Sequence, residues 1–158
     1  MAIDFFKAGC ISKASEPVFG IYDVPPAALR FEDSDNWHVW VDNADEEEVT
    51  FVAVDQCLDI PRNEGERCEA LLTFKDVLMF VELKDRDGGR WAGKSRDQLI
   101  NTIKLFKRDA DISPYRRFLG HIANKQRPYF KSGGKAFFEK FEDETGFILR
   151  VNNVIKIE

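Results

Sequence analysis

The stretch Cys68-Glu69-Ala70-Leu71-Leu72-Thr73-Phe74-Lys75-Asp76-Val77-Leu78-Met79-Phe80-Val81-Glu82-Leu83-Lys84 carries the strongest structural signal in the chain. Residues 68–74 have strand character, Lys75-Asp76 reads as a turn, and residues 77–84 are strand again. Two strands joined by two residues make an antiparallel hairpin, although Lys-Asp is not the favoured Asn-Gly turn chemistry. Residues 77–81 are apolar at every position, which predicts a strand covered on both faces, as in the middle of a sheet. Glu82 and Lys84 follow at its end, and period-two geometry puts them side by side on one face. Glu69 opens the preceding strand, so the hairpin brings it next to that end.

Outward from the hairpin, Asp85–Gly89 breaks the chain. Residues 94–107 follow as a helix, with Leu99, Ile100, Ile103 and Phe106 at helical spacing. Ser95 is placed to cap it, with Gln98 three residues on as in a capping box. Toward the N-terminus, residues 4–13 read as a short amphipathic helix built on Phe5, Phe6 and Ile11. Pro17, Gly20 and Pro25-Pro26 predict an irregular stretch. Residues 37–41 and 49–54 read as strands joined by an acidic loop. Toward the C-terminus, residues 115–123 read as a strand, 134–141 as a helix and 147–157 as a final strand. With no repeat and no linker, residues 1–158 form one α/β domain with a mixed central sheet flanked by helices.

The bulk composition narrows the function classes. The chain has 158 residues, 44% hydrophobic, with 14 Phe to fill a core. No apolar run approaches the ~20 residues that span a bilayer. The opening Met-Ala-Ile-Asp-Phe-Phe-Lys does not look like a signal peptide. Cys10, Cys57 and Cys68 lack CxxC spacing, which predicts free buried thiols and a cytoplasmic location rather than a disulfide framework or a zinc site. The net charge of −5 is unevenly spread. Acids dominate residues 32–69, opposed only by Arg62 and Arg67, whereas residues 115–135 contain no acid. That second stretch, with Arg116, Arg117, Lys125, Arg127 and Lys131 among Tyr115, Tyr129 and Phe130, either tracks a phosphate backbone or is a solvated face.

Chemistry concentrates at the hairpin's end. A buried carboxylate needs a partner or a cation. Two carboxylates beside a lysine suit a hard-metal hydrolytic centre. The glutamates hold Mg²⁺ through oxygen, the ion acidifies a bound water, and the lysine orients that water or stabilises the transition state. The plainer reading is that Glu82 and Lys84 form the exposed, salt-bridged end of a strand. Asp76 sits in the turn at the opposite end of the hairpin. Glu64 and Glu66 are loop acids, either solvated or supplying an extra ligand. His121 reads as a packed or surface histidine, and Trp37 and Trp40 as the core and rim of a strand.

These residues give region 66–110 a resemblance to the PD-(D/E)XK nuclease-like superfamily, whose fold is restriction endonuclease-like. There an acid starts the second core strand, and (D/E)-x-K ends the third about thirteen residues later. Glu69, Glu82 and Lys84 take those places. Gln98 matches a glutamine found on the following helix, unless it only caps that helix. The expected Pro-Asp is Cys68-Glu69 here, one methylene longer at the first acid. The resemblance implies an α-β-β-β-α-β core and Mg²⁺ or Mn²⁺ on Glu69 and Glu82. It also implies hydrolysis of phosphodiester bonds in DNA, less often RNA. Arg90 and Lys94, on the loop and helix start after the motif, and Arg116, Arg117, Lys125, Arg127 and Lys131 are the candidate nucleic-acid contacts, and a homodimer is compatible with cutting two strands. Some such domains have lost catalysis. The second reading is therefore an inactive, inhibitor- or immunity-type module that binds a protein partner through the acidic face of residues 32–69.

Overall fold

The computed structural model describes residues 2–126 and 134–158. Among them the strands are β1 (Ile11–Ala14), β2 (Val18–Asp23), β3 (Ala27–Arg30), β4 (Val39–Asp42), β5 (Val49–Ala53), β6 (Ala70–Phe74), β7 (Val77–Lys84), β8 (Arg117–Asn124), β9 (Ile148–Val151) and β10 (Val154–Lys156). The helices are α1 (Trp91–Asp109) and α2 (Gly134–Thr145). One sheet has the order β1-β5-β6-β7-β8-β9, and a smaller one the order β10-β4-β2-β3. In the larger sheet β1, β5, β6 and β7 run antiparallel in turn, while β7, β8 and β9 are parallel. Helix α1 supplies the crossover between β7 and β8 that parallel pairing requires.

The hairpin forms as its sequence indicates. Phe74 pairs with Val77 across the two-residue turn, and Lys75 takes the left-handed φ of 50° that closes it. Residues 77–83 are all buried. Alternation divides them between two cores. Leu78 and Phe80 pack with Leu99, Ile103 and Phe106 of α1. Val77, Met79, Val81 and Leu83 pack with Phe19, Ile21, Val39 and Val41 of the smaller sheet. The architecture is thus mixed α/β in three layers, with helices covering one face of the large sheet and a second sheet covering the other. The α/β class is as expected, but the helices flank the large sheet on one face only. The apolar run of β7 demands two covered faces but does not specify what covers them.

Other departures share a cause. Residues 4–13 form no α-helix: a 3₁₀ turn (Ala8–Cys10) leads into β1, which takes the open edge of β5. Phe5 still reaches the core, with its ring centroid 5.0 Å from that of Phe106. The stretch expected to be irregular is the β2–β3 hairpin. The final strand is two, because the chain leaves the large sheet after β9 and joins the small one as β10. Asn152 N–H donates to Ile122 O, and Asn153 O accepts from Trp40 N–H, so this crossing point ties both sheets together. In each case long-range pairing overrides local preference.

Helix α1 starts one turn earlier than expected. Ser95 is not its cap: it is buried inside the helix and donates to Trp91 O at 2.6 Å. Cys10 and Cys57 are joined in a disulfide, which corrects the expectation of free thiols; Cys68 alone is free, and buried. The pairing of β1 with β5 brings the flanks of those strands together, a proximity that the separation of 47 residues conceals. With two of the three cysteines oxidised to a disulfide, they do not point to a reducing compartment. Among the described residues no helix is long and apolar enough to cross a membrane.

Candidate active site at the end of the central strands

Ala70 pairs with Val81, so the hairpin register sets Glu69 opposite Glu82. Glu69 N–H donates to Val81 O at 3.2 Å and to Glu82 Oε1 at 3.1 Å. Glu82 is completely buried. It lies on the same face of β7 as Leu78 and Phe80, which turns it and Lys84 toward α1. Lys84 Nζ is 3.0 Å from Glu82 Oε2 and donates to Gln98 Oε1 at 2.9 Å. Gln98 is therefore drawn into this group rather than closing a capping box. Its helix is stitched to the hairpin by Thr102, whose hydroxyl accepts from Cys68 N–H and donates to Gln98 O, both at 2.8 Å.

Sequence reading missed three nearby groups. Asp23, at the end of β2, faces Glu69 carboxyl to carboxyl. Asp55 follows β5 and adds its charge to the same cluster. His38 Nδ1 accepts from Asp23 N–H at 3.3 Å, and its Nε2 is 3.9 Å from Asp85 Oδ2. Asp55 had a readable signal, an acid closing the apolar run Phe51-Val52-Ala53-Val54, the logic that singled out Glu82. Asp23 and His38 had none, since only the packing of the second sheet brings them here.

The electrostatics are those of acids crowded out of water. Burial raises the Glu82 carboxyl to about 7, against the pull of Lys84. Burial, then repulsion from Glu82, Asp23 and Asp55, raises Glu69 to about 9. Burial also raises Asp23, with His38 opposing. His38 is held below its ordinary value, chiefly by burial. Neither Asp23 Oδ1 nor Glu69 Oε2 meets a hydrogen-bond donor among the described residues. Two ionised carboxylates offer each other only acceptors. Such a pair needs a retained proton or a cation, so this donor set fits a divalent ion chemically. Among the described residues no group of three or more His, Cys, Asp or Glu is arranged as a metal cage. Mg²⁺ does not need one, because it keeps several waters beside one or two carboxylates.

The other candidates divide by position. Arg90 and Lys94 are exposed at the start of α1, on the chain leaving β7, and Lys94 shares a helix face with Gln98 four residues on. Lys125 N–H donates to Lys84 O at 2.9 Å, which places that residue at the same end. Arg116 and Arg117 do not come near. Arg117 pairs in register with Val77, and Asn124 with Lys84, so the arginines lie at the opposite end of β7, roughly 23 Å away at 3.3 Å per residue. Arg117 is engaged there by Asp76 at 2.9 Å and by Glu158 O at 2.6 Å. The parallel sense of β8 is the reason: its basic start sits beside the hairpin turn, not beside Glu82. Arg127 and Lys131 fall outside the described residues.

Glu64 is taken up by Arg108 at 2.7 Å, and Glu66 lines a cleft of about 430 Å³ with Asp55, Arg62, Arg67 and Gln98. His121 is packed, 2.7 Å from Asn152 O, with burial lowering it to about 4. Trp37 is buried and Trp40 exposed, as core and rim. Comparison with protein-family models, curated proteins and solved structures finds no match.

Proposed function

We propose that the chain is a metal-dependent nuclease of PD-(D/E)XK type, hydrolysing phosphodiester bonds in nucleic acid, DNA in the first instance. The observation that carries this reading is the convergence of Glu69, Glu82, Lys84 and Gln98 at the buried end of β7. The chain order β5-β6-β7-α1-β8 supports it, being the β-β-β-α-β part of the expected core. A strand-rich N-terminal segment stands where the core's first helix is expected. Asp23 reaches Glu69 from that segment.

In this reading Glu69 and Glu82 hold Mg²⁺ or Mn²⁺, with Asp23 behind Glu69. The ion supplies an acidified water and neutralises charge on the phosphoryl group. Lys84, fixed between Glu82 and Gln98, is positioned to orient the water and to stabilise the transition state. Lys94, Arg90 and Lys125 lie where a bound strand's phosphates pass. Lys84 turned away from Glu82, with no metal bound in millimolar Mg²⁺, would favour the protein-binding module. The 3.0 Å contact is compatible with catalysis, and the complete burial of Glu82 is what speaks against a merely exposed, salt-bridged strand end.

The test is cleavage of single- and double-stranded DNA and of RNA with Mg²⁺, Mn²⁺ or EDTA. Metal-dependent cutting, lost in Glu82→Gln and in Lys84→Ala with circular dichroism unchanged, is the expected outcome. Cleavage that survives both substitutions removes the site from the reaction.

A further inference from the structure

The outer face of the smaller sheet carries a cleft of about 700 Å³, which the catalytic reading leaves unused. Its floor follows from β2. Alternation turns Ile21 inward and Tyr22 outward. Gly20, between them and Phe19, leaves room for the Trp37 indole: a Cβ there would come 2.1 Å from Trp37 Cδ2. Trp37 Nε1 donates to Glu32 O at 2.8 Å, which fixes the ring. The Arg30 guanidinium lies 5.5 Å from the Tyr22 ring centroid, and Phe31 is 48% exposed at the mouth. Glu32 and Asp33 form an acidic rim.

We propose that this cleft holds an unpaired nucleobase of the strand cut at Glu69 and Glu82, with preference for bases bearing an exocyclic amino group. The proposal rests on the nuclease reading and names its substrate as single-stranded or locally unpaired. The size is that of a small-molecule site. Aromatic rings together with a planar guanidinium are what single-strand readers offer to a base. The carboxylates of Glu32 and Asp33 repel a phosphate but accept from the amino group of cytosine or adenine, which thymine and uracil lack. A chain of contacts leads from the cleft toward the catalytic end. The Tyr22 and His38 rings are 5.1 Å apart, His38 Nε2 is 3.9 Å from Asp85 Oδ2, and Asp85 is the residue after Lys84. A strand whose phosphate sits by Lys84 and Lys125 thus has a route past Asp85 and around the ends of β2 and β4 at His38, presenting a base a few nucleotides on to Tyr22 and Phe31.

The experiment is fluorescence anisotropy of the full chain with labelled oligo-dC, oligo-dT and a blunt duplex, with Ca²⁺ as the divalent ion, alongside the Mg²⁺ cleavage assay. Phe31→Ala and Arg30→Ala should each weaken oligo-dC binding about tenfold and leave the duplex unchanged. Glu32→Ala with Asp33→Gly, which removes both side-chain acceptors and suits the left-handed φ of 56° at residue 33, should erase the preference for dC over dT. These side chains are exposed, so thermal melting should match wild type. If Phe31→Ala proves unstable, Arg30→Ala alone decides. Unchanged oligo-dC affinity in these variants, with wild-type cleavage intact, overturns the subsite and leaves the nuclease. Absence of both binding and cleavage in wild type overturns the nuclease reading and the subsite with it. If the variants lose affinity for an arginine-rich peptide but not for DNA, the cleft is a protein-docking surface and the proposal fails.

Discussion

The two ends of β7 carry the same kinds of residue and hold them in opposite states. At the hairpin turn Asp76 meets Arg117 at 2.9 Å, with solvent reaching both side chains, and the arginine holds the carboxyl below its ordinary value. At the far end Glu82 meets Lys84 at 3.0 Å, yet its carboxyl is raised. The cation is present in both cases, so it is not what differs. Glu82 is wholly desolvated and has Glu69 and Asp23 close by, so a single lysine cannot balance the charge. Water solves the problem at one end; the other is left with a surplus of acid that a proton or a divalent ion must settle. That surplus, rather than the tripeptide Glu82-Leu83-Lys84, distinguishes the candidate site from an ordinary ion pair.

The sharpest way to break this contrast is to neutralise one acid at each end. Glu82→Gln should lower metal-dependent cleavage by about a thousandfold, while Asp76→Asn leaves it unchanged. Equal effects would mean that burial does not mark the working end. Next in size is the pH dependence of stability. Free carboxyls of this type titrate near 4.5, whereas the folded chain keeps a proton on Glu82 to about 7 and on Glu69 to about 9. Between those values the folded state binds more protons than the unfolded one, so stability falls as pH rises. The Glu82 contribution is worth roughly 3 kcal/mol by pH 8. Urea titrations at pH 4.5 and pH 8.5 should show that loss, and Mg²⁺ should restore part of it at the higher pH only. A flat profile would remove the acid surplus from the account.

Smaller effects refine the comparison. At pH 8 the folded chain still holds a proton on Glu69 that the unfolded chain has released. Glu69→Gln keeps a donor toward Asp23 without that cost and should stabilise the metal-free protein by about 1 kcal/mol or more. The same substitution should weaken Mn²⁺ binding, measured by calorimetry, so stability and metal affinity move in opposite directions. Smallest of all is Arg117→Ala, which removes an exposed ion pair of little worth. It should leave both the melting temperature and nucleic-acid affinity close to wild type. A marked loss of affinity would return the basic start of β8 to the binding surface.

Much of this end was legible because local pattern and geometry agree there. An unbroken apolar run, a two-residue turn and an acid at each strand end fix a register, and the register alone sets Glu69 opposite Glu82. Gln98 was legible only as a position on a helix; whether it capped that helix or met Lys84 depended on where the helix began, and α1 begins at Trp91. The arginines failed for a plain reason. Charge patterning shows that Arg116 and Arg117 are basic but not which end of the sheet they occupy, and a parallel β8 carries them away from Glu82.

By itself, then, the sequence determined the hairpin, the burial of β7 on both faces, the helix after it and the convergence of Glu69, Glu82 and Lys84. All of these follow from periodicity within one short stretch. Only the tertiary structure decided that a second sheet covers the face opposite the helices, that Cys10 reaches Cys57, and that Asp23 and His38 close on the same end of β7. Those contacts join residues far apart in the chain through strand pairing and sheet stacking, and pairings of that kind leave no local pattern to read.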